Sequence, residues 1–210
     1  MDPPDNLNLN YDGFSDNNPD YYSWLNTVIH EAYKKGTIIW LSYYWKHDLQ
    51  IKSILQNLKL NTWRGMKIKT FIWRYTFGQY TSSDCGSGFR FLVRIMHPDA
   101  KLYPDAIRIP SARMKLADPR ARGPKVPDDV WEFPRVVGNS PERRAWHPTQ
   151  HPNALYNRII KFSSKEGDTV VDLFAGTGTI FRQDLPRNYV GCEISPMYQK
   201  KLKEENDLLI

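Results

Sequence analysis

Residues 170–179 read Val-Val-Asp-Leu-Phe-Ala-Gly-Thr-Gly-Thr, an apolar run that empties into a loop holding Gly176 and Gly178 and then into a helix-like segment. Glycines at a strand-to-helix turn let a ligand approach the backbone, and an acid closing the next strand suits hydrogen bonds to ribose hydroxyls. Glu193 holds that place, some twenty residues beyond Asp172. The third glycine of a dinucleotide fingerprint would fall at Phe181, so nothing here cradles a pyrophosphate. A cofactor with a sulfonium and no phosphate fits the pattern better. The plain alternative is a tight turn that binds nothing.

Two further segments carry reactive groups. Asp2-Pro3-Pro4-Asp5 sets two carboxylates around two prolines, whose fixed backbone leaves carbonyls free to accept hydrogen bonds. By itself such a tetrapeptide is usually a turn. His147-Pro148-Thr149-Gln150-His151-Pro152 holds two imidazoles, which alone read as ordinary surface or core histidines. Cys85 and Cys192 stand far apart, outside any Cys-x-x-Cys or Cys/His cluster, so neither a disulfide framework nor a zinc site is expected.

The elements that must position these groups follow from periodicity. The first eighteen residues, rich in Asp, Asn, Pro and Gly, read as an irregular loop. Pro19 and Asp20 open a helix with Tyr21, Leu25, Val28, Ile29 and Ala32 at helical spacing, and Gly36 stops it. Residues 37–41 are strand-like. Asp48 caps a second helix carrying Ile51, Ile54, Leu55 and Leu58. Strands are predicted over 69–77 and 89–96. Prolines then recur too often for long helices through 97–146. Regular structure returns with a helix marked by Leu155, Ile159 and Phe162, a turn at Gly167-Asp168, a buried strand at 169–173 and a strand at 189–194. The segment 179–187 is short for a helix. Ser195-Pro196 opens a final one.

In that order, residues 172–179 resemble the S-adenosylmethionine loop of the DNA N4/N6 amino-methyltransferases. Residues 147–152 resemble that family's His-Pro-Thr-Gln-Lys-Pro segment, with His151 where lysine is usual. Asp2-Pro3-Pro4-Asp5 is similar to its Asp-Pro-Pro-Tyr tetrapeptide and, by preceding the loop, is like the family's permuted group. The resemblance implies one α/β domain over 1–210, a Rossmann-like mixed and mostly parallel sheet with helices on both faces. It implies S-adenosylmethionine as cofactor, lined by Asp172, Phe174, Ala175, Gly176, Thr177, Gly178, Thr149 and Gln150, with Glu193 on the ribose. It makes Asp2, Pro3, Pro4 and Asp5 the catalytic corner. An exocyclic base amine is a poor nucleophile because its lone pair is delocalised. Hydrogen bonds from its N–H groups to Asp2 and a prolyl carbonyl favour a tetrahedral nitrogen that can attack a methyl group.

In the family it resembles, Asp in first place of the tetrapeptide goes mostly with adenine N6 and Ser with cytosine N4, so the resemblance implies adenine N6 over cytosine N4. Double-stranded DNA is the implied partner, its target base turned out of the stack at a cost of roughly a few kcal/mol. Two departures stand out. Asp5 replaces an aromatic residue, leaving Tyr11, Phe14, Tyr43 or Tyr44 to stack on the base. Only Met1 precedes Asp2, so two strands of the sheet, including the one beside the cofactor strand, have no counterpart and exposed edges are expected. A non-catalytic, truncated DNA-binding remnant is therefore the second reading, and a methyltransferase acting on RNA or protein a third.

The net charge of +6 suits a polyanionic partner, although a merely basic surface gives the same number. Segment 98–146 stands where the family reads its target, and its Arg108, Arg113, Lys115, Arg120 and Arg122 are the expected DNA contacts. Trp131 and Trp146 read as packing residues. No apolar run approaches the roughly 18 residues of a membrane span. The N-terminus has no signal-peptide pattern, so a cytoplasmic setting is expected. No metal is expected. Monomer and homodimer, and a role in restriction–modification, phage self-protection or regulation, stay open.

Overall fold

The computed structural model describes residues 1–62, 65–78 and 80–206. After a two-stranded hairpin, β1 (Asn10–Tyr11) and β2 (Phe14–Ser15), the chain runs α1 (Tyr21–Lys35), β3 (Ile38–Tyr43), α2 (Asp48–Thr62), β4 (Lys67–Arg74) and β5 (Phe89–Met96). There follow α3 (Ala112–Lys115), β6 (Val130–Glu132), α4 (Asn153–Ser163), β7 (Thr169–Asp172), β8 (Asn188–Gly191) and α5 (Pro196–Asn206).

The main sheet has the order β3-β5-β4-β6. β5 is antiparallel to both β3 and β4, and β6 is parallel to β4. Three of its strands thus share one direction and β5 opposes them, the mixed Rossmann-like arrangement with helices on both faces. β3 alternates between two cores, because successive side chains point to opposite faces of a sheet. Ile39, Leu41 and Tyr43 meet α1 and α2, where Leu25, Ile29, Ile51 and Leu58 recur at helical spacing and lose all solvent contact. Trp40 points the other way, into a cluster with Phe71, Trp73, Leu92, Trp131, and Leu155 and Phe162 of α4. Full burial of each such side chain contributes roughly 1.5–3 kcal/mol. Arg94, buried among these rings, lies 5.3 Å from the centre of Phe162 and 5.4 Å from that of Phe71.

Four expectations need correcting. The N-terminal stretch is not wholly irregular: Asp12 and Gly13 both take positive φ, +53° and +83°, the geometry of a two-residue hairpin turn. The strand at 169–172 is not buried along its length, since Thr169 and Val171 are exposed and Val171 keeps 50% of its surface. Beyond Gly178 there is only one 3₁₀ turn, Thr179–Arg182, because Pro186 follows too soon for a longer helix. The strand expected over 69–77 starts two residues earlier and ends at Arg74. β7 and β8 form a separate parallel pair, and among the described residues no strand joins β7 to β3. Within 98–146, β6 belongs to the main sheet and Trp131 to its core.

Candidate functional site

The three motif segments meet around one cavity of about 680 Å³. Residues 2–5 lie on one side of it. Residues 147–151 and the β7–β8 loop, residues 173–177 with Glu193, line the rest.

Asp2 is held from two directions. Its Oδ1 accepts from Arg90 Nη2 at 3.0 Å, and its Oδ2 lies 3.1 Å from His151 Nε2. Burial pushes its carboxyl towards the neutral acid. The charges of His151 and Arg90, with Ser42 and the N-terminus, outweigh that and hold it below the usual range. For His151 the balance runs the other way: burial lowers its pKa against the pull of Asp2. Trp73 stands edge-on to that ring, 4.8 Å between centres.

Asp5 faces Arg90 rather than open solvent. It accepts two guanidinium bonds, at 2.6 and 3.0 Å, while Arg90 Nε donates to Ser42 Oγ at 3.0 Å. The fork geometry makes this a strong charge-assisted pair. The neighbouring carbonyls are largely committed: Met1 accepts from Ser42 N–H, Pro4 from the Tyr21 hydroxyl at 2.8 Å, and Asp5 binds His47 Nε2 at 2.7 Å.

Across the cavity, Glu193 clamps the glycine loop. Its two oxygens accept the N–H groups of Gly176 at 3.0 Å and Ser195 at 2.9 Å, and each keeps lone pairs for a further donor. Both glycines of the loop are closely packed. A Cβ on Gly176 would meet His147 Nε2 at 3.2 Å, and one on Gly178 would meet Leu202 of α5 at 2.4 Å. Both take positive φ, +48° and +71°.

Of the expected cofactor residues, Thr149, Gln150, Phe174, Ala175, Gly176, Thr177 and Glu193 line the cavity. Gln150 spends its amide on the loop itself, accepting Arg144 N–H at 2.8 Å and donating to Glu142 O at 2.7 Å. Asp172 and Gly178 lie outside the cavity lining. Asp172 is buried behind the loop, accepting Phe174 N–H and the Tyr156 hydroxyl. Among the candidate stacking rings, Tyr11 and Phe14 line the cavity. Tyr43 is fully buried and donates to Asp48, and Tyr44 is outside the lining too. Trp24 and Tyr75 line the cavity unforeseen, and burial lifts the Tyr75 hydroxyl to about 12.

Arg90 was also missed, although a signal existed: a charge inside an apolar strand needs a partner. Arg108, Arg113, Lys115, Arg120 and Arg122 are exposed and do not reach the cavity. Arg108 pairs with Asp105 at 2.7 Å and Arg120 with Asp118 at 3.0 Å. Trp146 donates to Glu205 of α5 at 2.8 Å, a packing role. Among the described residues no group of three His, Cys, Asp or Glu could hold a metal, and no helix is long and apolar enough to cross a membrane.

Comparison with known proteins points one way. The N6/N4 methyltransferase family described as DNA methylase matches residues 1–204. The type II methyltransferase M.HpaI of Haemophilus parainfluenzae is 32% identical over 220 residues, spanning 98% of this chain and 66% of that protein. The DNA adenine methyltransferase YhdJ of Escherichia coli (strain K12) is 32% identical over 224 residues, covering 95% of this chain and 72% of its own length. Among solved structures, the M1.HpyAVI–SAM complex superposes with a TM-score of 0.63 at 21% identity, over 91% of this chain and 86% of that one. The cytosine-N4-specific PvuII DNA methyltransferase gives 0.66 at 16% identity, over 94% and 74%. At those identities the likeness is one of fold.

Proposed function

Because this chain belongs to the N6/N4 DNA methylase family, we propose that it transfers a methyl group from S-adenosylmethionine to the exocyclic amine of a base in double-stranded DNA, adenine N6 before cytosine N4. The observation that carries this reading is the meeting of Asp2, residues 147–151 and the Glu193-clamped loop around one cavity.

The residues present fit that cofactor. Glu193 keeps lone pairs for ribose hydroxyls, and Phe174 and Trp24, 5.8 Å apart, offer apolar faces. When bound, S-adenosylmethionine supplies an electrophilic methyl group. The protein's part is to hold the amine. Asp2, ionised, accepts one N–H, and the Pro3 carbonyl, with no partner among the described residues, accepts the other. Arg90 and His151 fix the Asp2 carboxylate in place, so little reorganisation remains at the moment of reaction. After transfer the nitrogen carries one proton too many, and Asp2 is the base in contact with it.

Asp at the head of the tetrapeptide supports adenine, as does 32% identity to a protein named a DNA adenine methyltransferase. The order of motifs supports the permuted arrangement. Segment 98–146, with its exposed Arg108, Arg113, Lys115, Arg120 and Arg122, is the proposed target-reading part. A second reading, a DNA-binding remnant without turnover, draws on Asp5 and on the unjoined edges of β3 and β7.

The test is transfer of labelled methyl from S-adenosylmethionine to mixed-sequence DNA. Label on adenine N6 that vanishes in Asp2→Ala establishes the enzyme. A folded chain that binds DNA and transfers nothing selects the remnant.

A further inference from the structure

Beyond Asp2 the tetrapeptide offers three carbonyls, and side chains engage two of them. The Pro4 carbonyl accepts the Tyr21 hydroxyl at 2.8 Å. The Asp5 carbonyl lies 2.7 Å from His47 Nε2. A carbonyl can only accept, so Nε2 carries the proton and donates it. His47 Nδ1 in turn sits 2.9 Å from the Tyr22 hydroxyl. The three rings pack as one group: Tyr21 lies 5.3 Å from both Tyr22 and His47 between centres, and Tyr22 lies 5.8 Å from His47. Tyr21 and His47 are buried, and burial together with the charges of Asp5 and Asp2 raises the pKa of Tyr21, which keeps its hydroxyl a donor. Tyr21 and Tyr22 open α1, and His47 closes the turn Trp45–His47 that follows β3. The tetrapeptide is drawn to α1 by the amide of Asn6, which accepts Asn18 N–H at 2.7 Å and donates to the Asn18 carbonyl at 3.3 Å.

The Pro3 carbonyl is the one of the three without a partner among the described residues. Its direction has little freedom left. The proline rings fix φ at positions 3 and 4. On one side of it the Asp2 side chain is held by Arg90 and His151, and on the other the Pro4 carbonyl is held by Tyr21. We propose that Tyr21 and His47 are positioning residues for methyl transfer, a role that rests on the proposed activity. By engaging the Pro4 and Asp5 carbonyls they aim the Pro3 carbonyl at the second N–H of the target amine, and they deny that amine a competing acceptor. Both act through the backbone and not on the reacting atoms. Aim matters because a hydrogen bond weakens steeply as it bends, and transfer loses roughly a hundredfold in rate for an ångström of misplacement.

The test is single-turnover transfer of labelled methyl from S-adenosylmethionine to mixed-sequence DNA, run below the thermal midpoint of every protein compared. Tyr21→Phe removes one oxygen and keeps the ring. Its transfer rate is expected to fall about tenfold, with half-saturating S-adenosylmethionine within about twofold of the unaltered chain. His47→Leu should show the same split. His47→Gln, whose amide nitrogen takes the place of Nε2, should recover most of the rate lost in His47→Leu. A merely structural role lowers the midpoints and leaves the rate of the folded protein alone, and that result overturns the proposal. So does a loss that appears as weaker cofactor binding at an unchanged rate, or an equal loss of rate in His47→Leu and His47→Gln. Transfer by the unaltered chain that Tyr21→Phe equals overturns the positioning role alone. Absence of transfer by the unaltered chain overturns the activity, and the positioning role with it.

Discussion

Asp5→Asn removes one charge from the cluster that holds the proposed catalytic carboxylate, and its cost can be worked from the contacts. Asp5 accepts two bonds from Arg90 and one from Tyr44 N–H at 3.3 Å, with Arg90 and Asp5 side chains only 12% and 15% exposed. Removing one partner of a buried pair typically costs about 3–5 kcal/mol. Arg90 keeps Asp2 and Ser42, so we expect about 2 kcal/mol, or a thermal midpoint lower by about 4–8 °C for a chain of this size. Freed from Asp5, the guanidinium turns its full charge on Asp2 and competes with the base amine, so methyl transfer falls by about tenfold or more. Arg90→Gln costs more, about 3 kcal/mol, because two carboxylates are left facing each other. The double variant restores an uncharged amide pair and should recover at least about 1 kcal/mol against the sum. Urea unfolding of the four proteins, with methyl transfer measured in each, completes the cycle. Additivity within about 0.5 kcal/mol would refute the reasoning.

Glu193→Ala removes the acceptor of two loop N–H groups, so half-saturating S-adenosylmethionine rises about tenfold while turnover stays within about threefold; a loss confined to turnover contradicts the assigned place. Gly178→Ala forces a side chain into φ +71° and against Leu202, costing about 1–3 kcal/mol in denaturant unfolding, whereas Gly138→Ala meets no neighbour within 4 Å and should cost less. Burial lowers the pKa of His151 and His147, so the unfolded chain takes up protons first as pH falls below about 6.5. Their contribution is complete above that value and declines towards the lower folded pKa. The denaturation midpoint should be lower at pH 5.5 than at 7.5, with a smaller drop in His151→Gln, and an unchanged midpoint would sink the assignment.

What the sequence disclosed depended on range. Local periodicity was enough for α1, α2 and α4, because each repeats its apolar residues within one helical face. Ser195 was legible as a cap because the donor it caps lies three residues away, and its hydroxyl does accept Tyr198 N–H at 3.1 Å. The Asp5–Arg90 pair was not legible: its members stand 85 positions apart, and only the sheet brings them together. Asp5 therefore read as a lost aromatic, when its place is explained by the cation beside it. The packing beside the glycines was not legible for a related reason. Their spacing announces a tight loop, but what fills the space beside each is set by His147 and by α5, neither adjacent in sequence.

The halves of the cavity sit on different sheets, and this sets how the molecule holds them in register. The Asp2 side is anchored to β3 and β5 through Met1 and Arg90, and the Glu193 side to β7 and β8. Contacts that cross between them include His151 to Asp2, Ser195 Oγ to Asp12 at 2.8 Å, and the ring contacts of Trp24 with Phe174, Tyr11 with His147 and Trp73 with His151. In-line transfer loses rate steeply with misplacement, roughly a hundredfold for an ångström. A cavity held by such contacts is thus more sensitive than one carried on a single sheet. Removing the Asp12–Ser195 bond should therefore lower turnover more than it lowers cofactor binding. Asp12→Ala with both parameters measured decides the point, since a purely local role for the hairpin would leave turnover untouched.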